Sequence, residues 1–501
     1  MLLRIFLATA LIPLSFGATP FVEKLQAEFE KRLTVKTLKN GLTVMIYEKH
    51  DAPIVSTSIG FKVGSVDEHA GNFGCAHMLE HMLFKGNRIY GTTDFQKESE
   101  ITRQIEKWAA RFDEEQLREN PDPTVLKIYK KRIEQLVKRL NEVVVKSPYN
   151  PIYAANGGKG LNAYTNTDNT VYIVDIPSNK LELWALLESM KFRDPVLRSY
   201  YPERDVVMEE RRMRTDSKPR GKLWEALMGT SYMAHNYRNP IIGYMSELKT
   251  LKKETLTKFF KDYYAPNNCT MVLVGDVYPE KAIALIERYF GNWEPSERIE
   301  RTHIREPEQE GERTAKVVDK AQPYLYASYH MPRLNTPDGT ALTMLAQVLS
   351  GGKTSRFYQE IIVKQQLATS AWAYAGAGGQ RYPGLFLVGG GPKHPHQPDE
   401  LMKSMAEIID DLVKNGVTQE ELERVKTQTK AEFIYSLESA STVTSLLLSN
   451  HVNLGDWKEI FWDLERLLTL QPEDIVRVAK KYLHKDNRTV TALLTAKKEN
   501  S

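Results

Sequence analysis

His77-Met78-Leu79-Glu80-His81-Met82-Leu83-Phe84-Lys85-Gly86 has a counterpart far down the chain, Thr343-Met344-Leu345-Ala346-Gln347-Val348-Leu349-Ser350-Gly351-Gly352. Most apolar positions agree, while His, Glu and His become Thr, Ala and Gln. Further out, Thr57-Ser58-Ile59-Gly60-Phe61 precedes the first stretch as Ala327-Ser328-Tyr329-His330-Met331 precedes the second. Leu251-Lys252-Lys253-Glu254-Thr255-Leu256, running up to Tyr263, likewise matches Leu470-Gln471-Pro472-Glu473-Asp474-Ile475, running up to Tyr482. Similar segments in the same order mark one supersecondary unit used twice. They predict an α+β protein of two homologous domains, each an antiparallel-rich sheet with helices packed on it.

The first domain is expected over residues 33–277. It opens on strand-like runs (Leu42-Thr43-Val44-Met45-Ile46-Tyr47 and Ile54-Val55-Ser56-Thr57-Ser58-Ile59) and closes on Thr270-Met271-Val272-Leu273-Val274. Residues 278–313 hold one helix-like stretch and then, over 296–313, a charged run that reads as a linker. The second domain, 314–498, follows without the His and Glu residues. One segment breaks the symmetry. Residues 98–148 are charged and helix-forming, interrupted at Asn120-Pro121-Asp122-Pro123, with Leu126, Tyr129, Ile133, Leu136 and Leu140 at helical spacing. A helical hairpin inserted into the first domain, packing on a neighbour, is the expectation.

A chain of 501 residues can bury two sizeable cores. A formal net charge of +4 over that length gives no case for nucleic acid or an anionic membrane as partner. The N-terminus is distinctive: Arg4 supplies one charge, residues 5–14 are almost wholly apolar, and Ser15 and Gly17 are small. This order reads as a signal peptide over residues 1–18, cut near Gly17 or Ala18, and the run is short for a membrane span. An exported protein, periplasmic or secreted and not stably inserted in a membrane, is predicted. Cys75 and Cys269 make no disulfide framework, and Cys75 reads as a small buried residue.

His77 and His81 are four apart, so on a helix both imidazoles leave one face and can bind a single ion. Glu80 lies beside that face, placed to take a proton from metal-activated water without being a ligand. A catalytic zinc needs a third protein ligand and an open fourth position. Tyr201-Pro202-Glu203-Arg204-Asp205-Val206-Val207-Met208-Glu209-Glu210 supplies candidates, with Val206 and Val207 read as its buried stripe. Spacing leaves Glu203, Glu209 and Glu210 all open.

These motifs, with Gly74-Cys75-Ala76 before the histidines and Leu161-Asn162-Ala163-Tyr164-Thr165 between them and the glutamates, resemble in their order the pitrilysin/insulinase family. These are inverzincins, a group that includes mitochondrial processing peptidase. The likeness covers nearly the whole chain beyond the leader and is nearest to short bacterial members. It implies one zinc per chain held by His77, His81 and Glu210, with Glu80 as general base and Glu203 as an outer carboxylate orienting a ligand. It also implies that Gly160-Leu161-Asn162-Ala163 is an edge strand to which a substrate peptide adds. The expected activity is zinc endopeptidase action on extended peptides or unfolded segments. The alternative is a catalytically weak peptide-binding or assembly subunit.

Two departures stand out. The insertion lengthens the gap from His81 to Glu210. Where the family's second half commonly carries an Arg and, seven residues on, a Tyr that bind substrate and stabilise the reacting carbonyl, this chain has Ile362 and Thr369. Some short family members work as pairs, so a related partner chain supplying that Arg and Tyr, as a heterodimer or larger assembly, is expected. Gly351-Gly352-Lys353-Thr354 lacks the first glycine of a phosphate loop, and His394-Pro395-His396 reads as a solvated loop. Gly389-Gly390-Gly391 marks a turn or a close backbone approach.

Overall fold

The computed structural model describes residues 20–301 and 303–496, so the leader over 1–18 lies outside the described residues. Among the described residues, eleven strands form two sheets. The first joins β1 (Leu33–Thr37), β2 (Thr43–Glu48), β3 (Ile54–Phe61), β4 (Lys159–Thr165), β5 (Thr170–Pro177) and β6 (Cys269–Gly275) in the order β1-β2-β6-β3-β5-β4. The second joins β7 (Arg313–Asp319), β8 (Tyr324–His330), β9 (Ala368–Ala377), β10 (Leu385–Pro392) and β11 (Arg488–Thr495) in the order β7-β11-β8-β10-β9.

The two orders are the same once β1 is set aside. In each sheet the last strand in sequence inserts parallel to the first of the shared five, as β6 beside β2 and β11 beside β7. Every other pairing is antiparallel. The matched segments fall on equivalent elements: residues 57–61 on β3 and 327–330 on β8, and the two glycine-terminated stretches begin on the helices Cys75–Met82 and Pro337–Ser350. The fold is α+β and built from a repeat.

Strand periodicity explains the packing. On β2, Val44 and Ile46 face a core shared with Met78, Leu79 and Phe290, while Met45 and Tyr47 face the opposite way. That opposite face is covered by helices from the second half, Ala440–Ser449 and Glu459–Thr469, through Leu447, Leu448 and Phe461. The exchange is reciprocal. The helix Pro219–Ser231 of the first half lies on the second sheet through Leu223 and Leu227. Each half thus completes the other's sandwich.

The charged run after the helix Pro279–Phe290 is strapped down rather than free. Arg301 bonds the Lys62 carbonyl at 2.6 Å, and Glu306 accepts from the N–H groups of Met233, Ala234 and His235 at 2.6–2.9 Å. The helices Phe95–Gln116 and Pro123–Leu140 form a hairpin around Ile101, Ile105, Leu136 and Leu140, closed by Tyr201 from the helix Tyr200–Arg211. Asp122 caps its second arm through the N–H groups of Thr124 and Val125. Cys75 and Cys269 are buried free thiols. Among the described residues no helix is long and apolar enough to cross a membrane.

Candidate metal centre

The short helix Cys75–Met82 starts at Gly74, whose left-handed φ of 96° turns the chain sharply into the first turn. Glu68 holds that start, accepting from the N–H groups of Gly74 and Ala76 at 2.8 Å each. With Met78, Leu79 and Met82 buried in the first core, the helix cannot rotate, and His77, Glu80 and His81 face out of the sheet's helical layer.

The helix Tyr200–Arg211 brings the carboxylates. Glu210 Oε2 lies 3.3 Å from His81 Nε2 and 3.7 Å from His77 Nε2, and donor atoms of the three residues lie within 4.8 Å of one another. Glu203, two turns earlier, accepts from His81 Nδ1 at 3.0 Å and pairs with Lys85 at 2.6 Å. This fixes the ring so that Nε2 points at Glu210. Glu209, which spacing had left open, is exposed and pairs with Arg212. Val206 departs from its reading as a core residue: Val207 is fully buried, but Val206 is 51% exposed. The buried side of this helix runs through Tyr200, Arg204, Val207 and Arg211, and Val206, about 100° round from Val207, lies off it.

Burial, reinforced by the neighbouring His81, drives the His77 ring down to about 4. Burial pulls His81 the same way, but its bonds to Glu203 and Glu210 lift it to about 9. Two imidazoles and one carboxylate, with one ring nitrogen already committed to an outer carboxylate, match the His₂Glu donor set of catalytic zinc. The residues fit the metal. Burial raises the Glu80 carboxyl, against the Thr165 hydroxyl that donates to Oε2 at 2.7 Å.

β4 is an edge strand of its sheet, at the end opposite β1. Its pairing with β5 is interrupted between Lys159 and Asn162, where Gly160 takes a φ of 64°. The centre opens on a chamber of about 1820 Å³ between the two halves. Asn162 and Ala163 line it, while Gly160 and Leu161 lie beyond its lining at the bulged end. Ile362 and Thr369 do not line it either. Ile362 packs on the second core and Thr369 donates to the Gly391 carbonyl at 3.1 Å.

Sequence reasoning passed over five supports. Thr165 ends a quoted motif but had no role. Arg214, four after Glu210 and 2.8 Å from it, carries a helical spacing signal, whereas Lys85 stands beyond the end of the histidine helix and pairs with the distant Glu203. Arg198 carries none. Its side chain is 0% exposed and bonds Glu98 of the insertion at 2.7 Å, the Asn87 carbonyl at 2.8 Å and the Lys85 carbonyl. One guanidinium thus ties the end of the histidine helix, the insertion and the start of the Glu210 helix. Arg204 adds a second tie, a bidentate pair with Asp113 at 2.9 and 3.0 Å.

Residues 43–151 match the family model "Insulinase (Peptidase family M16)", and residues 250–429 match "Peptidase M16 inactive domain". The zinc protease PqqE of Helicobacter pylori is 30% identical over 474 residues, spanning 91% of each chain. The uncharacterized zinc protease YmxG of Bacillus subtilis is 24% identical, covering 90% of this chain and 95% of that one. A crystal structure of a protease from Helicobacter pylori superposes with a TM-score of 0.77 at 27% identity, over 92% of this chain and 99% of that one. The periplasmic protease PqqL of Escherichia coli shares the fold at a TM-score of 0.69 and 18% identity, this chain matching 48% of its length. The chain belongs to the insulinase family of peptidases, M16.

Proposed function

We propose that the protein is a zinc-dependent endopeptidase that hydrolyses extended peptides or unfolded protein segments. The convergence of His77, His81 and Glu210 on the wall of a chamber that also holds Glu80 and a free sheet edge carries this reading. His77, His81 and Glu210 would hold the zinc, and Glu203 keeps His81 in the metal-binding tautomer. Bound zinc polarises a peptide carbonyl and lowers the pKa of water.

Thr165 occupies one oxygen of Glu80, which leaves the other to accept a proton from the attacking water and return it to the leaving amine. β4 offers the backbone partners that hold a peptide extended, so binding depends little on side-chain identity along that edge. The test is Glu80→Gln. Zinc content should stay at one per chain while peptide hydrolysis falls by about 10²-fold or more. Hydrolysis at the unsubstituted rate would refute the mechanism.

The second reading, a peptide-binding or assembly subunit, is favoured by Ile362 and Thr369 lying off the chamber. We combine the two. The chain carries the zinc, and a related partner contributes the Arg and Tyr, in a heterodimer or larger assembly exported to the periplasm or beyond. Full peptidase activity of the purified chain alone would end the partner hypothesis. Binding of zinc and peptide without cleavage, by both the chain and its native assembly, would favour the non-catalytic reading. Mass determination of the protein from its native source reports whether residues 1–18 have been removed.

A further inference from the structure

The chamber wall contributed by the second half is aromatic. On the central strand β10, Gly389 stands opposite Tyr326 of β8 on one side and Trp372 of β9 on the other. A Cβ on Gly389 would lie 2.6 Å from Trp372 Cζ2, so the glycine leaves the space that the indole occupies over the sheet. Trp372 Nε1 donates to the Tyr324 hydroxyl at 3.1 Å, which pins the ring. Tyr326 meets Trp372 at 5.8 Å between centroids and Trp224 at 6.0 Å, both edge to face.

Trp224 comes from the first half and is fixed relative to the metal centre. Its neighbour Glu225 is gripped by both nitrogens of Arg211 at 2.8 and 3.1 Å, and Arg211 directly follows Glu210. These rings are packed against one another yet remain open to the chamber. Trp224 is 38% exposed, and Tyr374, two residues along β9 from Trp372, is 54% exposed. Large apolar surface held rigid and left uncovered beside a reactive centre is the usual character of a ligand-binding wall.

We propose that Trp224, Tyr326 and Trp372 form a side-chain shelf that binds a bulky apolar residue, aromatic or long aliphatic, of the peptide whose backbone crosses the chamber at Glu80. The proposal rests on the peptidase reading of the same chamber and names its substrate class. Acidic side chains are disfavoured there because a carboxylate would lose water against ring faces that offer it no hydrogen bond.

The test uses one host peptide carrying Phe, Leu, Ala or Asp at successive positions around the cleaved bond, with the native assembly wherever the chain alone is inactive. At one position Phe and Leu should exceed Ala in kcat/KM by about tenfold or more, with Asp lowest. Trp372→Ala and Trp224→Ala should each shrink the Phe-to-Ala ratio to within about threefold, and Trp372→Phe should restore most of it. A purely structural role would lower all peptides by one factor and leave the ratio intact. That result overturns the shelf, as does a wild-type profile indifferent to the side chain.

Equilibrium binding separates this from failure of the peptidase reading. In the Glu80→Gln protein, quenching of tryptophan fluorescence should report tighter binding of the Phe peptide than of the Ala peptide, and Trp372→Ala should abolish the difference. Preferential binding without any cleavage by either the unsubstituted protein or its native assembly would refute the peptidase and leave the shelf standing. Equal binding of the Phe and Ala peptides refutes the shelf. If Trp372→Ala does not fold, the exposed Trp224 decides the same ratio.

Discussion

Arg198→Met should destabilise the first half more than any surface change and should loosen the metal centre with it. Arg198 and Glu98 are both sealed from solvent, and Glu98 has one oxygen with no hydrogen-bond partner, so its carboxylate depends on the guanidinium. Removing one partner of a buried ion pair costs about 3–5 kcal/mol because the remaining charge stays desolvated. The lost donors also strand the carbonyls of Lys85 and Asn87, each worth about 1–3 kcal/mol if water cannot reach it. The double variant Glu98→Met, Arg198→Met removes the orphaned charge but not the stranded carbonyls, and should recover only part of the loss. A chain with two halves need not unfold in one step, so native-state hydrogen exchange is the suitable assay. Protection of residues 85–98 and 200–211 should fall by about 10²-fold or more, while the second sheet keeps its own. If those segments exchange as in the unsubstituted protein, the insertion is not part of the clamp and the reasoning fails.

Three further outcomes can be checked. Glu203→Gln should weaken zinc binding about 10–100-fold in competition with a chromogenic chelator, and unchanged affinity would show that His81 needs no outer carboxylate. Asp338 is held down at about 2: burial opposes this, but bonds from Tyr482, Arg477 and Lys481 outweigh it. Its stabilisation is therefore complete above the ordinary carboxylate pKa and is lost as pH falls from about 4 towards 2, so Asp338→Asn should cost about 1–2 kcal/mol equally at pH 5 and pH 7. A difference that grew between those two values in urea titrations would contradict the sign. Gly389→Ala should cost about 1–3 kcal/mol by overpacking and shift the tryptophan emission as Trp372 lifts from the sheet, and a silent substitution would mean that the indole does not lie there.

The sequence made legible whatever is local or repeated. The histidine helix shows in adjacent residues, the hairpin in its periodicity and Asp-Pro break, and the second copy in matching apolar positions. Spacing narrowed the third ligand to one of three glutamates and only the family resemblance singled out Glu210, because the choice depends on how the helix Tyr200–Arg211 lies against the helix Cys75–Met82. Val206 was misread for a related reason. A position beside the buried stripe looks like core until the void it faces is known. Arg198 gave no signal at all, since a buried arginine differs from a surface one only by the partners that three distant segments bring to it. Gly389, read as either a turn or a close approach, proves to be the second, inside a central strand.

The repeat also explains why one chamber serves one candidate metal centre. The two sheets share strand order, but each lends helices to cover the other, so the copies are related by an exchange that turns corresponding surfaces to different surroundings. β4 and β9 are equivalent free edges, and both contribute to the chamber. The helices that follow β3 and β8 do not share that fate. His77, Glu80 and His81 face the chamber, whereas Thr343, Ala346 and Gln347 lie outside its lining. A second His-x-x-Glu-His at those positions would have no access to a peptide held between the halves, so the second copy is free of that demand. Its wall can instead carry Tyr326 and Trp372, the side chains proposed above to meet a peptide from across the chamber.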